Sequence, residues 1–120
     1  MKKNYDIVII GGGPAGLAAA ISAYDKGVKD ILVLEREDKT GGILNQCIHN
    51  GFGLTRFKES LSGPEYAARF IGEVAKRDIQ VLVKTTVLSV SKDKTVTAIN
   101  EDEGVFMVQA KAIILAMGCR

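Results

Sequence analysis

The sequence predicts an α/β fold in which helices pack on a parallel sheet and an antiparallel β-meander follows. Two observations carry this. The first 35 residues read strand, glycine turn, helix, strand, and the closing third of the chain breaks into short β-rich runs with charged turns between them.

Residues 5–10 are a β-branched run with no polar face beyond Asp6, the pattern of a strand covered on both sides. Gly11-Gly12-Gly13-Pro14-Ala15-Gly16 turns the chain, and residues 17–26 read as an alanine-rich helix that Gly27 is placed to cap. Residues 31–34 form a second buried strand, completing one βαβ unit whose right-handed crossover makes the sheet parallel. The stretch 36–62 holds four glycines and no sustained apolar period. A loop of that length in a compact domain is functional or disordered, and Ile43, Leu44, Ile48, Phe52 and Leu54 supply anchors that favour function.

Ser62-Gly63-Pro64-Glu65 resembles a capping box, and Ala67, Phe70, Ile71 and Val74 then recur at helical spacing and are expected to face the sheet. Residues 79–83 read as a third buried strand. The runs 86–91, 95–100 and 105–110 are divided by Lys92-Asp93-Lys94 and Glu101-Asp102-Glu103-Gly104, which predicts a meander instead of a second helical crossover. Residues 112–116 are a last apolar strand. No covering element follows it, so the expectation is one incomplete domain over residues 1–120, an N-terminal part of a longer protein. Its apolar sheet edge would be left open to self-association.

Composition narrows the function classes. With 120 residues, 47% apolar and 25% charged, the chain is long enough for one modest core and too apolar for a disordered tail. A net charge of +2 gives no electrostatic footprint for nucleic acid. Two cysteines, Cys47 and Cys119, are too few for a secreted disulfide scaffold, and no apolar run is long enough to span a bilayer. Met1-Lys2-Lys3 before an apolar run imitates a signal peptide, but Asp6 spoils the basic leader and Gly11 ends the run too early. The expected setting is the reducing cytoplasm.

The chemistry sits in the turn between the first strand and the first helix. Gly11-x-Gly13-x-x-Gly16 has the spacing of a dinucleotide fingerprint, in the strand–turn–helix context that gives the pattern meaning. Gly11 permits the tight turn, Gly13 lets the backbone approach a pyrophosphate, and Gly16 lets helix and strand pack closely. Free amides at the helix start, with the helix dipole behind them, favour the phosphate charge. Glu35 closes the second strand about 20 residues after the fingerprint, where a carboxylate accepts both hydroxyl hydrogens of an adenosine ribose and disfavours a 2′-phosphate. The plain alternatives are a glycine turn without a ligand and a solvated residue ending a strand.

Residues 5–17, Tyr-Asp-Ile-Val-Ile-Ile-Gly-Gly-Gly-Pro-Ala-Gly-Leu, closely resemble the start of flavoproteins with two dinucleotide-binding domains, among them the pyridine nucleotide–disulfide oxidoreductases. The resemblance continues through Glu35-Arg36, the Gly41-Gly42 pair, the meander and Ile114-Leu115-Ala116-Met117-Gly118. It implies a Rossmann-like FAD-binding domain, with NAD(P)H bound by a second domain outside this sequence. It also implies FAD contacts from Gly11, Gly13, Pro14, Ala15, Gly16, Glu35, Arg36, Gly41, Gly42 and Gly118. Residues 41–53 are similar to a branch resembling flavin subunits of glycerol-phosphate, opine and amino-acid oxidising systems.

The departures bear on function. Disulfide reductases of this family carry a Cys-x4-Cys pair two and seven residues after the second glycine of the pair; those positions are Leu44 and His49 here. The reductase dithiol is missing. Cys47 and His49 are the candidates for a catalytic role, and no catalytic residue is assigned. The bland reading of Cys47 is an inert thiol, since a lone cysteine reacts only when its pKa is lowered. That of His49 is loop packing or hydrogen bonding. No ligand set at zinc spacing accompanies them, so no metal is expected.

The function expected of the complete protein is FAD-dependent electron or hydride transfer, with NAD(P)H and an unidentified small molecule as reactants. This chain would be the FAD-binding part and inactive alone. The alternatives are a non-catalytic nucleotide-binding module and a single-domain NAD-binding dehydrogenase. The long loop and the meander argue against the latter, because such a domain would continue with βα units.

Overall fold

A computed structural model of the chain describes residues 3–38, 40 and 63–117. In chain order the elements are β1 (Asn4–Ile10), α1 (Pro14–Asp25), β2 (Ile31–Leu34), α2 (Gly63–Ala75), β3 (Gln80–Leu82), β4 (Thr86–Val90), β5 (Thr95–Asn100) and β6 (Gly104–Leu115). They build one six-stranded sheet in the order β3-β2-β1-β6-β5-β4. β1, β2, β3 and β6 run parallel, β5 is antiparallel to β6, and β4 is antiparallel to β5.

Burial explains the continuous apolar runs of β1 and β2. On one face Ile9, Ile31 and Val33 pack with Leu17, Ala20 and Ile21 of α1 and with Phe70 and Val74 of α2. On the other, Val8, Ile10, Leu32 and Leu34 pack with Val96, Val108 and Ala110 of the meander. A strand covered on both faces has no use for alternation, and each such side chain contributes about 1.5–3 kcal/mol by leaving water. The helices are tied at their ends by Arg77, whose guanidinium Nε and Nη2 donate to the two Asp25 carboxylate oxygens at 2.7 and 2.9 Å.

The expected α/β architecture with its meander is present, with four differences. α1 begins at Pro14, three residues earlier than the sequence predicts, so Pro14-Ala15-Gly16 form its first turn. Proline at the first helical position loses no hydrogen bond. The predicted cap at Gly27 is found as a Schellman end: Gly27 has φ 107°, its amide donates to the Tyr24 carbonyl, and the Val28 amide donates to that of Ala23. In α2, Phe70 and Val74 are buried, whereas Ile71 is 39% exposed instead of facing the sheet. Phe70 and Val74 define an i, i+4 stripe, and Ile71 lies a step around the helix from it. Ser62 and the Ala67 side chain lie outside the described residues.

The predicted buried strand 79–83 is a three-residue edge strand with Gln80 exposed, since no described strand lies beyond it. The runs 105–110 and 112–116 are not two strands but one of 12 residues. Lys111 reads as a break in the sequence, yet it stands opposite Asp6 of β1, with Nζ 3.2 Å from that carboxylate. β6 therefore belongs to the meander through its first half and to the parallel sheet through its second.

Candidate functional site

The carboxyl ends of β1 and β2 and the start of α1 meet at one edge of the sheet. Gly11 leaves β1 at φ 116°, its amide held by the Leu34 carbonyl at 2.8 Å. A side chain there would also meet the Ala116 carbonyl oxygen at 2.2 Å, because β6 leaves the sheet directly over Gly11. Gly16 is required by packing: a Cβ on it would lie 2.0 Å from the Gly11 carbonyl oxygen. Gly13 is the N-cap of α1 with φ −78° and ψ −171°, and no side chain caps the helix. Ala15 and Gly16 lie in the first turn, where amides have no intrahelical acceptor and the helix dipole is positive.

Glu35 is the charged residue buried at this edge, with 3% of its surface exposed. Its Oε1 accepts the Gly12 amide at 2.8 Å and its Oε2 accepts the Glu37 amide at 2.7 Å. The carboxylate is thus fixed from both sides by main chain and faces the glycine turn. The backbone of Glu35 is fixed as well, its amide donating to the Leu82 carbonyl and its carbonyl accepting the Thr85 amide, both at 2.9 Å. Lys84, with φ 51°, donates its amide to the Glu37 carbonyl at 2.8 Å. The segment after β3 therefore clasps the turn after β2.

Gly11, Gly13, Pro14, Ala15, Gly16 and Glu35 come together at this edge. Arg36 follows Glu35 but is exposed, with Nε 4.0 Å from a Glu37 carboxylate oxygen on the surface. Gly41, Gly42, Cys47, His49 and Gly118 lie outside the described residues. Four contributors escaped the sequence reading. Gly12 supplies the amide that holds Glu35, and a Cβ on it would meet Thr40 Cγ2 at 2.9 Å and Glu35 Oε1 at 3.2 Å. Thr40 and Thr85 are buried, and Lys84 holds a left-handed conformation. The run of three glycines is a visible sign for Gly12; nothing in the sequence marks the others. Among the described residues no group of His, Cys, Asp and Glu could hold a metal ion.

An edge with backbone amides at a helix start, and a buried carboxylate fixed beside them, can hold a group that carries both phosphate and vicinal hydroxyls. Comparison with known proteins identifies the family. The family model described as pyridine nucleotide-disulphide oxidoreductase matches residues 5–120. The hydrogen cyanide synthase subunit HcnB of Pseudomonas protegens is 31% identical over 93% of this chain and 24% of its own length. An opine oxidase subunit from Rhizobium meliloti is 30% identical over 100% of this chain and 24% of its own. The crystal structure of Lactococcus lactis thioredoxin reductase superposes with a TM-score of 0.71 at 30% identity, over 97% of this chain and 36% of that one. The chain thus spans about a quarter of the length of these curated relatives.

Proposed function

This chain belongs to the pyridine nucleotide-disulphide oxidoreductase family, and on that premise we propose that it is the FAD-binding part of an oxidoreductase that exchanges electrons with NAD(P)H. The observation that carries the reading is the Glu35 carboxylate, buried and held by the Gly12 and Glu37 amides beside the open start of α1. These residues fit FAD. Glu35 would accept the hydroxyls of the adenosine ribose, while the amides of Ala15 and Gly16 and the dipole of α1 would hold the pyrophosphate. Gly13 would leave room for that approach, Arg36 would border the adenosine, and Gly41, Gly42 and Gly118 would let main chain approach the cofactor. When bound, FAD supplies the redox chemistry, and the protein's part is to bind and orient it.

The other parts of the proposal rest on sequence. NAD(P)H would bind in the part of the relatives' length that this chain does not cover. The other reactant would be a small molecule, and the reducing cytoplasm suits a chain with two cysteines. No described helix is long and apolar enough to cross a membrane. Leu44 and His49 occupy the positions of the reductase dithiol, so electron transfer from NAD(P)H to the flavin would need no cysteine pair. Full-length protein is therefore expected to be yellow, to release FAD on denaturation, and to bleach anaerobically on addition of NAD(P)H, in Cys47→Ser as in wild type. A colourless protein that binds NAD would overturn the reading. Loss of bleaching in Cys47→Ser with FAD still bound would make Cys47 part of the transfer.

A further inference from the structure

Thr85 is 1% exposed, and its hydroxyl bonds to Val83 and Asn100, neither of which is assigned to the nucleotide. Its hydroxyl donates to the Val83 carbonyl at 2.9 Å and accepts from Asn100 Nδ2 at 3.1 Å. Asn100 ends β5, and its Oδ1 in turn accepts the Glu103 amide at 2.7 Å across the turn to β6. A chain of hydrogen bonds therefore runs from the last turn of the meander, through Asn100 and Thr85, to the segment that clasps Glu35.

The middle residue of that segment makes the hydroxyl matter. Lys84 has φ 51°, a left-handed conformation that costs a non-glycine residue free energy and persists where the surroundings enforce it. The Thr85 hydroxyl bridges Val83 on one side of Lys84 to Asn100 on the other strand and so closes the strained turn. In this conformation the Lys84 amide reaches the Glu37 carbonyl and the Thr85 amide reaches that of Glu35. Glu37 is the residue whose own amide holds Glu35 Oε2.

We propose that Thr85, braced by Asn100, is a positioning residue that fixes the Glu35 carboxylate for the adenosine ribose. The proposal rests on the FAD reading and adds to it a residue remote in sequence, acting only through Glu35. The test is a double-mutant cycle on FAD affinity, followed by flavin fluorescence with full-length apoprotein, combined with thermal unfolding of each apoprotein. Thr85→Val keeps the shape and removes the hydroxyl. It is expected to weaken FAD about tenfold in the wild-type background, as the loss of one well-formed hydrogen-bonded link does. In a Glu35→Ala background it should change affinity less than twofold. Thr85→Ser, which keeps the hydroxyl, should bind within twofold of wild type.

Should Thr85→Val fail to fold, Asn100→Ala removes the brace and its bond to the Glu103 amide but leaves the Thr85 hydroxyl bonded to Val83, and about a threefold loss confined to the Glu35-containing background is expected. An equal loss in both backgrounds, with affinity still dependent on Glu35, would mean that Thr85 serves stability alone and would overturn the positioning role by itself. Equal FAD affinity of wild type and Glu35→Ala would overturn the adenosine assignment and the positioning role together.

Discussion

Both oxygens of the Glu35 carboxylate accept a backbone amide, from Gly12 and from Glu37, at 2.8 and 2.7 Å. That geometry admits only a residue with two acceptors. Glutamine has the same shape but offers one acceptor and one donor, so Glu35→Gln sets an N–H against one of the two amides. Two effects are expected. Without ligand, a buried donor left unpaired lowers stability by about 1–3 kcal/mol, read as a shift of the denaturant midpoint. With ligand, the loss of a charged acceptor weakens FAD by about 1.5–3 kcal/mol, roughly tenfold to a hundredfold. Unchanged affinity would remove Glu35 from the site. The same scale separates the glycines by the reason each is needed. Gly11 is demanded by its φ of 116° and Gly16 by a contact of 2.0 Å, so both serve the fold. Gly13 has a backbone conformation that any residue can adopt, so its φ does not demand glycine there.

Secondary elements are readable wherever local rules decide the outcome. Gly27 past the end of α1 and the charged turns of the meander each mark a boundary through backbone chemistry alone, whereas the predicted helix start is Leu17 although Pro14 already occupies the first helical position. The elements that differ from expectation are those set by neighbours. β3 carries an apolar run but lies at the sheet edge, and Lys111 interrupts an apolar pattern but meets Asp6 across the sheet. The turn between β4 and β5 provides a prediction of its own. The Ser91 hydroxyl bonds the Asp93 carboxylate, Thr95 adds to it, and together they hold Asp93 below the usual carboxylate range. A carboxyl depressed in the folded state adds stability above its unfolded pKa, and that stability is lost as pH falls through the lower folded value. Ser91→Ala is therefore expected to lower stability slightly near neutral pH, with the difference from wild type vanishing in strong acid. A difference that persists unchanged across the acid limb, measured by denaturant unfolding against pH, would separate the Ser91 bond from the ionisation of Asp93.

On the scale of the whole molecule, helices, parallel sheet and meander form three layers, and β6 is the strand shared by the last two. The layers are legible because each apolar run must be buried somewhere; the sharing is not, since it depends on which strands lie side by side. It leaves a consequence. The Lys111 carbonyl accepts the Lys94 ammonium at 2.9 Å and so points away from β1. By the two-residue alternation of a strand, the main-chain groups of Ile113 and Leu115 point the same way, and no described strand meets them there. Leu115 is 65% exposed beside them. An edge that no described strand covers, with apolar side chains beside it, is a template for a second chain. The 120-residue chain is therefore expected to associate with itself as concentration rises in sedimentation experiments. Leu115→Pro tests the route. Proline removes the outward amide without removing a hydrogen bond to β1, so this variant should remain monomeric while folding as before. Association of Leu115→Pro equal to that of wild type would place the contact elsewhere, and a wild-type chain monomeric at every concentration would show that this edge recruits no second copy.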